Sequence, residues 1–241
     1  MDDYNRREFI RTSLPGFLGL TMALPGLTAM ATRANGQEGR PDQHGRINWD
    51  AFLEGVAKEA AKQHLDRWNE AAYLKRAQAI AARLDLEDPI LLEAFKKAEK
   101  GIGNGRIDFD RLEKHQDFQI SYLQFEKGEQ IRHHDHPGMT GVLLCATGEL
   151  VSENFSLLDE ERPEDRVLLQ TAGTSVLKKG QTASLTSTTA NIHRVEAHAL
   201  TQVIDIFAPP YTRERIRGTK YFRVDEEVFE KRKGIFEATI G

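Results

Sequence analysis

The stretch Ile131–Leu158, "IRHHDHPGMTGVLLCATGELVSENFSLL", decides how the rest of the chain is read. After Pro137-Gly138 come two short apolar runs split at Gly148. Short apolar runs bounded by turn residues read as strands packed into a core rather than as helices. The same texture continues on both sides, in "FQISYLQF" (118–125), "TSVLKKGQTASLT" (174–186), "NIHRVEAH" (191–198) and "TQVIDIFAPP" (201–210). Strands broken by turns at intervals of roughly eight to twelve residues predict a β-sandwich or barrel, assigned here to residues 117–241.

Upstream the period changes. From Trp49, the residues Leu53, Val56, Ala57, Ala60, Ala61, Leu65, Trp68 and Ala72 recur at helical spacing. Asp88-Pro89 is a helix start, with a capping carboxylate and proline at the first helical position. Lys96, Lys97 and Lys100 followed by Gly101 mark the end of that helix. Residues 48–116 are therefore assigned as a helical N-terminal segment, with its helices ending near 100. "GIGNGR" (101–106) follows a helix and lacks the lysine and Ser/Thr of a phosphate loop, so it reads as a helix cap and turn.

Residues 1–31 read as an address. Arg6-Arg7 precede an uncharged apolar run from Leu14 to Ala31, which ends in the small-x-small site Ala29-Met30-Ala31. This predicts a twin-arginine-like signal peptide and an exported, periplasmic protein, with the twin-arginine machinery as a partner. The run is broken by Pro15, Gly16, Gly19, Pro25 and Gly26, so no stable membrane association is expected after cleavage. Residues 32–47 are polar and glycine-rich, and read as a linker.

Composition bounds the rest. A chain of 241 residues with 39% hydrophobic and 29% charged residues supports a sizeable core. A net charge of -4 gives no electrostatic case for a nucleic-acid partner, which usually needs a basic patch. Cys145 is the only cysteine, so an intramolecular disulfide and a cysteine-based zinc site are both excluded. A lone free cysteine in a strand is expected in the core.

The histidines carry the chemistry. In a strand, residues two apart share a face, so His134 and His136 project together and His133 and Asp135 project the other way. His133 is expected at the surface, and Asp135 is expected to support the loop. A paired imidazole set can chelate one metal ion if a third ligand arrives from elsewhere. His193 in a later strand is the candidate, with His198 weaker. Imidazole ligands suit iron, copper or zinc. Three neutral ligands leave a divalent ion its full charge, and on an octahedral ion they leave three positions for reactants.

The spacing is similar to the cupin pattern at Gly128, His134, His136 and Gly148, with Gly141 standing where that pattern has a glutamate. "HDHPGMT" (134–140), "NIHRVEA" (191–197), "VIDIFAPPY" (203–211) and "KYFRV" (220–224), in that order, resemble the cysteamine dioxygenases and plant cysteine oxidases, the thiol dioxygenases of the cupin superfamily. The resemblance spans residues 120 to 225 and implies a mainly β, cupin-type double-stranded β-helix barrel behind the helical segment. It implies that His134, His136 and His193 bind Fe(II). It also implies that Asp205 is a pocket carboxylate near a substrate amine or a ligand histidine, and that Tyr211 lines the same pocket. The implied reaction adds both atoms of O2 to a small thiol or Cys-initiated peptide, giving the sulfinic acid. Some members cross-link a cysteine to the tyrosine near the C-terminus; here Thr219 stands at the cysteine position beside Tyr221, so no such bond can form. Two other activities fit the same residues: an exported metal-binding cupin acting on a non-thiol small molecule, and a non-catalytic ligand-binding cupin.

Overall fold

A computed structural model describes residues 45–101 and 108–241. The expected signal peptide, most of the expected linker and the glycine-rich turn after the third helix lie outside the described residues.

Three helices lead: α1 (Trp49–Ala60), α2 (Glu70–Ala81) and α3 (Pro89–Gly101). Their starts are set by side-chain caps. Asn48 Oδ1 accepts from Ala51 N at 2.9 Å and Asn69 Oδ1 accepts from Ala72 N at 2.8 Å. These bonds satisfy amide groups that have no partner inside the helix. Asp88 does more than cap α3. Its Oδ1 accepts from Ile90 N and Leu91 N, while Oδ2 accepts from Trp49 N at the start of α1. One buried carboxylate thus joins two helix N-termini, where negative charge is favoured. Glu59 joins α1 to α2 in a similar way, held by Lys62 Nζ at 2.6 Å and Arg76 Nε at 2.5 Å.

Eleven strands follow among the described residues, all paired antiparallel. The first sheet has the order β1 (Asp108–Lys114), β2 (Gln119–Phe125), β9 (Thr201–Ala208), β4 (Thr140–Thr147), β7 (Thr182–Leu185). The second has the order β10 (Phe222–Val228), β11 (Ile235–Ile240), β6 (Arg166–Lys178), β5 (Glu149–Leu158), β8 (Ile192–Ala197), β3 (Gln130–Asp135). A short helix, α4 (Arg213–Gly218), links β9 to β10. Since β1 begins at Asp108, the helical segment ends with α3 and does not reach residue 116. The two curled sheets form a cupin-type double-stranded β-helix with helices in front.

The period of two sorts the side chains into separate cores. On the first sheet, Phe118, Ile120, Tyr122, Val142, Leu144, Ile204 and Ile206 face outward and bury against Phe52, Val56, Tyr73, Leu91 and Phe95 of the helices. Each large side chain removed from water contributes about 1.5–3 kcal/mol, so the helices are an integral layer rather than an appendage. The opposite face of the same strands lines the barrel with Leu123, Leu143, Cys145 and Val203, which meet Leu150, Leu177 and Val195 of the second sheet. Cys145 is buried, as expected, and its thiol donates to the Thr147 carbonyl at 3.2 Å. A third core lies on the outer face of the second sheet, where β10 and β11 fold over Phe155, Leu169 and Ile192. Gly148 turns the chain between β4 and β5 at φ +77°, where an added Cβ would lie 2.3 Å from the Leu200 carbonyl oxygen.

Candidate metal centre

Two adjacent strands of the second sheet deliver the histidines. β3 and β8 run antiparallel, with His134 opposite His193 and Ile131 opposite Val195. Three steps on β3 therefore match two on β8, a β-bulge in β3. The extra residue lets Ile131 and His134 both face the barrel although they are three apart. His136 lies just beyond the strand. Its position is fixed by Asn191, whose Oδ1 accepts from His136 N at 2.9 Å and whose Nδ2 donates to His136 O at 3.1 Å. The same amide also bonds the carbonyls of Met139 and Thr186, so it ties the histidine turn to the loop before β8.

The three rings converge. His136 Nε2 lies 3.0 Å from His193 Nε2, which lies 3.2 Å from His134 Nε2. All three residues are buried. Hydrogen bonding defines the lone pairs. His134 Nδ1 is 2.7 Å from the Arg132 carbonyl oxygen, which can only accept, so Nδ1 carries the proton and Nε2 is bare. His136 Nδ1 is bonded to Tyr211 Oη at 3.0 Å, which leaves its Nε2 facing inward. Burial, first, and the neighbouring histidines hold the pKa values of His136 and His193 well below the usual range; burial pushes His134 down to about 4. Three neutral nitrogens crowded into one dry spot repel protons but present lone pairs to a cation. Nitrogens about 2.1 Å from one ion and at right angles to each other lie about 3.0 Å apart, so the set fits a transition metal bound on one face of its coordination sphere.

Among the described residues no carboxylate joins them, and the packing at position 141 leaves no space for one there. Gly141 stands where the cupin pattern has a glutamate. A Cβ on it would sit 2.7 Å from Phe207 Cε1 and 3.2 Å from Leu185 Cγ. The Phe207 ring fills that space and stacks on His136, with centroids 4.4 Å apart and planes at 29°.

Asp205 lies on the inner face of β9, between Val203 and Phe207, opposite Ser121 of β2 and Leu143 of β4. It is buried and its Oδ1 has no hydrogen-bond partner among the described residues. Burial raises its pKa well above the carboxylate range. The structure thus places it in the barrel wall, with no ion pair to any of the described residues. Tyr211 is partly buried against Met139, Leu185 and Phe207, and its hydroxyl reaches the outer nitrogen of His136, the far side of the ring from the other two histidines. Tyr221 stacks on His134 at 5.7 Å, on the segment where β10 bridges to β3. Asp135 supports that segment as expected, accepting from Lys220 N at 2.6 Å.

Two expectations change. His133 is half-buried rather than exposed, with its ring edge-on to Phe155 at 5.0 Å, because the outer face of this sheet has its own core. His198 is far from the site in function: it is half-exposed and paired with Glu149. Sequence reasoning also missed residues that hold the site together. Asn191 is one. Glu70, at the start of α2, is another: its Oε1 accepts from Thr140 Oγ1 and from Ser187 N, both at 2.6 Å, and so clamps the two loops that Asn191 bridges. A polar residue flanking each ligand motif was the available signal for Asn191; nothing local pointed to Glu70.

The family model PCO_ADO matches residues 70–238. The chain belongs to this family, the cysteamine dioxygenases and plant cysteine oxidases. The match starts at α2, so the thiol dioxygenase family extends well upstream of the segment, 120–225, in which the sequence motifs resemble it. A buried three-histidine site is the kind that thiol-dioxygenase cupins carry. No curated protein matches the chain. Among solved structures it is similar to KdgF from Halomonas sp. (17% identity, TM-score 0.33, covering 44% of this chain and 82% of that one). It is also similar to an RmlC-like cupin from Desulfovibrio desulfuricans (18%, 0.33, 44% and 85%) and one from Shewanella frigidimarina (19%, 0.35, 46% and 81%). Likenesses this distant carry no functional argument.

Proposed function

We propose that the protein is an Fe(II)-dependent thiol dioxygenase that converts R–SH and O2 to the sulfinic acid R–SO2H, and that its substrates bear an amine. The observation that carries this reading is the convergence of three buried Nε2 atoms in a member of the thiol dioxygenase family. Iron, when bound, supplies the charge that favours the thiolate form of a substrate and the redox chemistry that activates dioxygen.

The chain's own residues do the rest. The Arg132 carbonyl fixes the tautomer of His134 and the Tyr211 hydroxyl orients the His136 ring, so two of the three ligands are held in place by the protein itself. The Phe207 ring walls off one side of the site by stacking on His136. Because the ligand set contains no carboxylate to offset positive charge, an anionic sulfur is favoured over a neutral group. Asp205, a buried carboxyl whose Oδ1 has no hydrogen-bond partner among the described residues, is suited to a substrate ammonium, whose arrival would supply a counter-charge. Cysteamine or a Cys-initiated peptide therefore fits better than 3-mercaptopropionate.

Export belongs to the same proposal. Arg6-Arg7 and the Ala29-Met30-Ala31 site support a mature protein that begins near Thr32 and leaves the cytoplasm folded. Changing Arg6-Arg7 to Lys-Lys should strand it inside; continued export would end that part of the reading.

The test of the chemistry is anaerobic purification, metal quantification and turnover under labelled oxygen gas. Mass spectrometry should find both sulfinate oxygens derived from O2, with iron as the metal that restores activity. Absence of labelled sulfinate with every small thiol and Cys-initiated peptide tried would leave a cupin acting on a non-thiol substrate, or a ligand-binding one.

A further inference from the structure

The inner wall of the barrel opposite the histidines carries two rows of side chains running across the strands. One row is Gly141, Phe207 and Gln119, set by the register of β4, β9 and β2; the next row inward is Leu143, Asp205 and Ser121. Phe207 stacks on His136, so Gln119, its cross-strand neighbour, stands at the level of the metal centre. Gln119 and Ser121 are each 1% exposed. Gln119 Nε2 donates to Ser121 Oγ at 3.1 Å, which pins the amide and leaves Gln119 Oε1 buried with no donor. The diagonal neighbour Asp205 has an unpartnered buried oxygen as well. Buried acceptors are almost always satisfied in native proteins, and two orphans at diagonal positions of the barrel wall that faces the histidines point to a donor brought by a ligand.

We propose that Gln119, braced by Ser121, is a specificity-determining residue that accepts a second N–H bond from the primary ammonium group of the substrate while Asp205 supplies the charge. A primary ammonium has three N–H donors and can meet both acceptors at once; a hydroxyl has one and cannot. The inference rests on the amine-thiol reading above and adds to it a neutral residue that selects primary amines by donor count rather than by charge.

Titration of cysteamine into the anaerobic, metal-loaded protein reads binding without turnover, so a failed oxygenation assay leaves this test intact. Gln119→Leu should weaken cysteamine binding about tenfold, since a bond to a charged donor is lost. It should leave 2-mercaptoethanol within about twofold, because that ligand shares the thiol and chain length but lacks the ammonium. Ser121→Ala, which frees the amide, should give a smaller loss confined to cysteamine. If Gln119→Leu does not fold, Gln119→Met, close to the parent side chain in shape, carries the same expectation. Equal losses for both thiols, or no loss for either, would reduce Gln119 to a packing residue and overturn the proposal. A loss seen with 3-mercaptopropionate instead would show the amide donating inward, and would overturn it equally.

Discussion

The two faces of strand β9 make an instructive contrast. Facing the helices, Ile204, Ile206 and Ala208 are apolar, fully packed and leave no polar atom unpaired. Facing the barrel, Asp205 and Phe207 alternate with them, and one of the two is a carboxyl with an orphan oxygen. The strand is the same length of backbone with the same hydrogen-bonded neighbours, β2 and β4, on either edge. The outer face stabilises the fold, while the inner face leaves a buried acceptor that the protein itself does not satisfy. The alternation of a strand lets both demands be met within eight residues.

Four measurements would break or sharpen that contrast. The largest effect is expected on the inner side. His193→Ala should remove most bound metal and lower turnover by about three orders of magnitude or more, as removal of a unit of a cooperative site does, while the apo-protein unfolds at nearly the parent temperature. Metal retained at parent stoichiometry would break the ligand assignment. On the outer side, Phe52→Ala should cost about 3–5 kcal/mol in denaturant unfolding and leave metal content per folded molecule unchanged; a loss of metal would mean the two layers are coupled.

Asp205→Leu should go the other way and raise stability by about 1–3 kcal/mol at neutral pH, because it removes a buried unsatisfied group. The sign with pH is fixed by burial, which raises the folded pKa above the unfolded value of 3.8. The folded state holds that proton more tightly, so the parent loses stability as pH rises from the unfolded value toward the folded one. The advantage of the variant should therefore be small near pH 4 and larger at pH 8, by urea midpoints; a constant gap would deny the shift. The smallest effect belongs to Glu59. Its burial acts to raise its pKa, but the bonds from Lys62 and Arg76 outweigh this and hold it below the usual value. Lys62 and Arg76 are partly exposed and screened, so Glu59→Gln should cost under about 1 kcal/mol. That difference should be present above the unfolded pKa and vanish as pH falls through the depressed one. A gap that persists in acid would assign it to packing.

Elements with one-dimensional signatures were legible in the sequence. Helical spacing from Trp49, the Asp88-Pro89 start and the alternating strands need only near neighbours, and the His134–His136 pair plus His193 needed one long-range guess supported by the family motifs. Features set by register between distant strands were not legible. The bulge between Ile131 and His134 exists only against β8. The Phe207 ring beside Gly141 joins residues 66 positions apart in sequence. The orphan oxygen of Gln119 is visible only once its neighbours are known, since the residue itself looks like any polar position of an alternating strand. His133 was misplaced for the same reason: an outward-facing residue is exposed only if nothing folds over it, and β10 and β11 do.

The packing of Phe207 against Gly141 also bears on how this protein can change over time. Conversion to a four-ligand cupin site needs a carboxylate at 141, but the ring leaves no room for even a Cβ there. Removal of the ring first would strip the stacking surface from His136 and open a void beside it. A side chain at 141 therefore requires the Phe207 ring to shift or shrink, which ties the two positions to each other. The three-histidine site is thus recorded twice in the chain, once in its ligands and once in the Gly141–Phe207 pair that closes the fourth position.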